Sequence, residues 1–115
     1  MQKDTFGKRS EIIATNYLKE KGYKILATNY KNKVGEIDII AQDKDYIVFI
    51  EVKARLSEAF GNPFEAINYY KQQKIHKVAS LYLLQKKKTE ALCRFDAISI
   101  LGLENPEITH IVDAF

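Results

Sequence analysis

Apolar residues recur along the chain in two periods. From Thr5 to Lys21, Phe6, Ser10, Ile13, Ala14, Tyr17 and Leu18 fall at helical spacing, and Lys21-Gly22 supplies a stop signal, which predicts an amphipathic helix. Glu11 lies three, four and seven positions before Ala14, Thr15 and Leu18, so it borders the apolar stripe. Tyr23 to Tyr30 alternates as a first strand. The polar Lys31-Asn32-Lys33 then turns the chain, and Gly35 is expected to serve a bulge or a close backbone approach. Two strongly apolar runs follow between Glu36 and Lys53, separated by Gln42-Asp43-Lys44-Asp45, and they read as a hairpin. Asn62-Pro63-Phe64-Glu65 has the form of a helix start, with Asn62 as cap and Glu65 as a capping acid. That helix is expected to run to about Gln85, with Phe64, Ile67, Ile75, Val78, Ala79, Tyr82 and Leu83 on its apolar face. Cys93–Leu101 alternates as a strand, Leu103–Pro106 is a turn and Ile108–Val112 a last short strand.

The hairpin carries charges where a buried sheet should carry none. Side chains alternate across a strand, so Glu36, Asp38 and Ile40 are expected on one face, with Ile37, Ile39 and Ala41 on the other. On the second strand Ile47, Phe49, Glu51 and Lys53 share a face. A two-residue turn at Lys44-Asp45 would set Asp38 opposite Glu51 and Glu36 opposite Lys53, whereas an odd loop length would separate the acids. Both faces of both strands are otherwise apolar, as in strands covered on two sides. Two carboxylates about 5 Å apart repel by roughly 3 kcal/mol at an effective dielectric near 20. Lys53 offsets part of that, and a divalent cation would offset the rest, since magnesium is held by one or two carboxylates together with phosphate and water. A plain buried salt bridge between Lys53 and one acid is the structural alternative.

Composition changes this picture little. The chain has 115 residues, enough for a single core, and 46% hydrophobic with 29% charged residues is ordinary for a globular protein. Cys93 is the only cysteine, which excludes a disulfide framework or thiolate zinc cluster and suits a reducing, cytoplasmic setting. The N-terminus is polar and carries no signal-peptide pattern, and no apolar run approaches the roughly 20 residues of a membrane span. The net charge of +3 matters less than its distribution. The second helix has Lys71, Lys74 and Lys77 in a row, then Lys86, Lys87 and Lys88, with no acid between Glu65 and Glu90. Such a row can follow a phosphate backbone or simply be solvated. His76 and His110 lack the spacing of a ligand pair and are assigned structural roles, as are Arg94 and Asp96. Ser57 and Ser99 have no partners for a hydrolase triad, and no glycine-rich phosphate loop is present.

The order helix, three strands, helix, then one or two strands defines an α/β domain over 1–115, an interior sheet with helices on its faces. This order, with Glu11, Asp38 and Glu51-Val52-Lys53, resembles the PD-(D/E)xK nuclease superfamily, the restriction-endonuclease-like αβββαβ fold with a mixed central sheet. More closely, GKRSEIIATNYLKEKGYKIL, GEIDIIAQDKDYIVFIEVKAR, FGNPFEAI and RFDAISI resemble the YraN family of small uncharacterised bacterial proteins over nearly the whole chain. Archaeal Holliday junction resolvases are similar in layout. Ile37 stands where the superfamily name has proline, which leaves the ligand Asp38 in place. The resemblance implies metal-dependent hydrolysis of DNA, branched or junction DNA in particular. Asp38, Glu51 and the Val52 carbonyl would bind Mg²⁺ or Mn²⁺, Lys53 would orient the attacking water, and Glu11 would complete the acid set, with Glu36 as a possible replacement. Lys71 and Lys74 are the candidate phosphate contacts, and a homodimer would give the two sites that two-strand cleavage needs. The rival expectations are a nucleic-acid-binding domain that cuts nothing and a small protein adaptor.

Overall fold

Gly22, at φ +93°, closes the first helix, α1 (Thr5–Glu20), in the left-handed conformation that glycine adopts without strain. The Gly22 amide reaches the Lys19 carbonyl and the Tyr23 amide the Leu18 carbonyl, satisfying the last turn. The computed structural model describes residues 5–56 and 68–115. After α1 come β1 (Lys24–Lys31), β2 (Glu36–Asp43), β3 (Tyr46–Arg55), α2 (Tyr69–Gln85), β4 (Leu92–Leu101) and β5 (Glu107–Ile111).

Among the described residues the strands form one five-stranded sheet in chain order. Neighbours are antiparallel except β3 and β4, which are parallel. A parallel pair needs a crossover, and α2 lies on that connection. The mixed sheet flanked by two helices is the architecture expected from the pattern. No helix among the described residues is long and apolar enough to cross a membrane.

Each face of the sheet has its own core. On one side Ala14 and Leu18 of α1 pack on Ile39, Ala41, Val48, Ile50, Ile98 and Ile100. On the other, Ile75, Val78, Ala79 and Tyr82 of α2 pack on Ile37, Ile40, Ile47 and Phe49. The double burial explains why β2, β3 and β4 read as nearly continuous apolar runs. Gly35 is the close approach expected of it, since a methyl group there would stand 3.1 Å from Lys74 Cε and 3.2 Å from Val78 Cγ2.

Two boundaries differ from the sequence expectation. Strand β3 continues through Arg55, paired to Leu101, two residues past the expected end at Lys53. The helix expected from Asn62 is not continuous to Gln85. Asn68 is extended (φ −82°, ψ 175°), and its side chain caps α2 by accepting from the Lys71 amide at 2.9 Å. The expected start at Asn62-Pro63-Phe64-Glu65, with Ile67, lies outside the described residues.

Candidate active site

The β2–β3 hairpin turns at Lys44-Asp45, as the even loop length required, and Lys44 adopts φ +55° there. The ladder runs from Asp43↔Tyr46 to Ile39↔Ile50 and then stops. Beyond it Asp38 Oδ2 accepts the Val52 amide at 2.8 Å, so a carboxylate takes the hydrogen bond that a strand carbonyl would otherwise provide. The two strands part at this carboxylate, and the candidate residues gather where they part.

Asp38 and Glu51 share a side-chain hydrogen bond. Glu51 is buried, 6% exposed. Two lysines serve it. Lys53 stands 3.5 Å away on the same strand, and Lys71 reaches in from the first turn of α2 to 2.5 Å. Burial, reinforced by the Glu51 charge, pushes the Asp38 carboxyl up to about 7, against the opposing pull of the Val52 amide and Lys71. Burial also lowers the Lys53 ammonium, and the hydrogen bond and charge of Lys71 lower it further. Lys71 moves the other way. Its burial is outweighed by hydrogen bonds to Glu51 and Lys53, so it stays charged. One lysine is thus the fixed cation and the other the more easily deprotonated amine.

Glu11 approaches from α1. With Asp38, Val52, Lys8, Ser10 and Asn29 it lines a cleft of about 430 Å³. Asn29 was not foreseen from the sequence, and it orients Glu11 by donating its side-chain amide to the carboxylate. It lies in β1 between the pairs Thr28↔Ile39 and Tyr30↔Ile37, opposite Asp38, with φ +49°. The expected alternation of β2 does not hold across Asp38. Ile37 packs with Ile40 on the α2 side, not with Ile39 and Ala41 on the α1 side. Apart from glycine, asparagine and aspartate are the residues that enter the left-handed region most readily. That mild preference was the one sequence signal for Asn29.

The expected partnership of Glu36 with Lys53 does not form. The β2–β3 ladder ends before reaching it, and Glu36 pairs with Lys31 across β1–β2 at 3.7 Å. Glu36 still lines the cleft beside Asp38. Lys71 was expected on phosphate and instead holds Glu51, while Lys74 is exposed along a second groove of about 420 Å³ with Lys31, Gly35 and Lys71.

A second polar cluster, outside the cleft, gathers around Asp96. Asp96 is fully buried and accepts from Arg94 Nε at 2.9 Å, Arg94 Nη2 at 3.0 Å and the Asp113 amide at 3.0 Å, with His110 Nε2 at 2.7 Å. Burial alone would raise its carboxyl, but the His110 and Arg94 hydrogen bonds prevail and hold it below the usual carboxylate range. His76 stacks on Phe95 with ring centres 4.0 Å apart.

Among the described residues, no group of three His, Cys, Asp or Glu side chains is placed to hold a metal ion by itself. The donors present are the neighbouring carboxyls of Asp38 and Glu51 and the cleft acid Glu11. All are hard oxygen donors, and the pair is short of positive charge on the Asp38 side. This set fits a hard cation that takes its remaining ligands from water and phosphate.

The model of the uncharacterised protein family UPF0102 matches residues 10–100 of the chain. A UPF0102 protein of Clostridium kluyveri is 49% identical over 112 residues, covering 95% of this chain and 92% of that protein. One of Caldanaerobacter subterraneus subsp. tengcongensis is 46% identical over 121 residues, covering 100% and 98%. One of Thermodesulfovibrio yellowstonii is 49% identical over 115 residues, covering 100% and 99%.

Proposed function

The chain belongs to the uncharacterised protein family UPF0102, and on that premise we propose that it is a metal-dependent endonuclease of the PD-(D/E)xK kind, hydrolysing phosphodiester bonds in branched or junction DNA. The observation that carries this reading is the buried Asp38–Glu51 carboxyl pair with Lys53 and Lys71 around it. Carboxyls taken out of water carry a cost in desolvation, and perturbed titratable clusters beside a cleft concentrate at functional sites.

Asp38 and Glu51, with the Val52 carbonyl, would hold Mg²⁺ or Mn²⁺, with Glu11 as the further acid. The ion would supply Lewis acidity and a water activated near neutral pH. The chain's own residues do the rest. The Val52 amide fixes the Asp38 carboxylate in direction. Lys53, its ammonium already depressed, orients the attacking water and can take its proton as the new P–O bond forms. Lys71 keeps its charge and moves between Glu51 and the phosphate. Lys74 adds a phosphate contact outside the site. We place the protein in the cytoplasm, where Cys93 stays reduced, and expect two copies to act together where two strands are cut.

The test is incubation with labelled linear, flapped and four-way DNA in Mg²⁺ or Mn²⁺. Cleavage is expected, and its loss in Lys53→Ala and Asp38→Ala. Intact substrates at high enzyme excess would overturn the hydrolytic reading. They would favour a domain that binds nucleic acid without cutting it, a reading supported by the Lys71–Glu51 ion pair, which already neutralises one of the acids.

A further inference from the structure

The nuclease reading leaves two side chains unused at the mouth of the site. Tyr69 and Tyr70 open α2, each 74% exposed, immediately before the lysine that holds Glu51. The helix separates them. The buried residues Ile75, Val78, Ala79 and Tyr82 define the side of α2 that faces the sheet. At 100° per residue, Tyr70 falls on the flank shared with Lys74 and Lys77, while Tyr69 falls on the opposite flank, with Gln73 and His76. The flank of Tyr70 is also the flank of a groove. Lys74 passes Gly35 closely, and Lys31, Gly35, Glu36, Lys71 and Lys74 line the space between α2 and the β1–β2 turn. Glu36 is already paired with Lys31, so the groove's remaining charge is positive.

A bare aromatic ring beside a row of lysines, leading to a carboxylate site, suits a particular partner. Lysines attract phosphates whatever the base sequence. An exposed ring offers a face on which an unpaired base stacks, but it has nothing to stack on in a blunt duplex, where each base already lies between its neighbours. We propose that Tyr70 is a base-stacking platform, and that the groove lined by Lys71 and Lys74 takes a nucleic-acid strand with at least one unpaired nucleotide beside the site. This rests on the nuclease reading and narrows its substrate to DNA with a single-stranded or splayed element.

The experiment uses the full chain carrying Asp38→Asn, so that binding is measured without cutting. An asparagine there still accepts from the Val52 amide. The probes are a fluorescein-labelled oligothymidylate and a blunt duplex of the same length, titrated by anisotropy at fixed salt. Adding Tyr70→Ala should weaken single-strand binding about tenfold and leave duplex binding within about twofold, because stacking acts on unpaired bases alone. Tyr70→Phe should restore single-strand binding, and Tyr69→Ala should match the parent. Parental single-strand affinity in Tyr70→Ala, or an equal loss in Tyr69→Ala, overturns the platform and leaves the nuclease reading standing. If the Asp38→Asn parent binds neither probe, both fall together.

Discussion

Lys71 lies closer to Glu51 than does Lys53, its neighbour on the same strand: 2.5 Å against 3.5 Å. A residue twenty positions along the chain, on the crossover helix, is therefore the principal partner of the buried acid. The Asn68 cap makes this possible by fixing the amide of the residue whose side chain makes the ion pair. Removing Lys71 should leave Glu51 buried and under-compensated. Lys71→Met is expected to destabilise the fold by roughly 1–2 kcal/mol, less than for a fully buried broken pair because the lysine remains partly exposed. In a Glu51→Gln background the same change should cost under about 0.5 kcal/mol, since the charge it served is gone. Urea unfolding of the four proteins measures this, and equal costs in the two backgrounds would show that the pair is not coupled.

Asp38 sets a pH dependence of opposite sign to that of an ordinary carboxylate. Its usual value is 3.8, and in the fold it is pushed up to about 7 by burial and by Glu51. Between these values the folded chain keeps a proton that the unfolded chain has released, so raising the pH through this window favours unfolding. We expect the melting temperature to fall by roughly 5–10 °C from pH 5 to pH 8. Asp38→Asn, which cannot ionise, should remove most of that slope. A variant that melts with the same pH dependence as the parent would locate the effect elsewhere.

Asn29 separates backbone from side chain. Its φ of +49° is strained for alanine and free for glycine, while either substitution removes the donor to Glu11. Asn29→Ala should cost about 1 kcal/mol and Asn29→Gly within about 0.5 kcal/mol of none. If Glu11 works from the position Asn29 gives it, the two variants should lose cleavage rate alike despite their different stabilities. Parental rate in the glycine variant would show that Glu11 needs no such hold.

The parts of this site legible in the sequence are those set by local chemistry. The hairpin followed from the polar cluster Gln42-Asp43-Lys44-Asp45 between apolar runs, and the two-residue turn within it sets the register of β2 on β3. Gly22 ended α1 and Gly35 marked a close approach, each through the absence of a Cβ. What stayed hidden depends on contacts between distant segments. The switch of Ile37 to the α2 side appears only in what the folded strand packs against, and alternation within β2 carries no trace of it. The Lys71–Glu51 pair depends on where a helix docks, so Lys71 read as a phosphate contact and not as the partner of an acid. Asn68 was obscured because Lys71 follows it at the third helical position, where a capping acid would have drawn notice.

Asp96 provides the contrast that tests whether the two polar clusters differ in kind. It is fully buried, and its partners Arg94, His110 and the Asp113 amide tie β4 to β5 and the chain beyond it. Its carboxyl is held below the usual range, so its stabilisation is present at neutral pH and is lost as pH falls through the folded value. The acid limb of the stability profile should therefore belong to Asp96 and the alkaline limb to Asp38. Asp96→Ala takes one of two carboxylates from the Arg94 guanidinium, which keeps Asp43, and removes the partner of His110, so it is expected to cost about 2 kcal/mol at pH 7, with the difference from the parent shrinking toward pH 3. Because Asp96 lies outside the cleft that holds Asp38 and Glu11, the rate per folded molecule should not change. Melting curves across pH, paired with cleavage normalised to the folded fraction, measure both quantities. A rate that falls with the fold intact would mean the Arg94–Asp96 cluster also serves the chemistry.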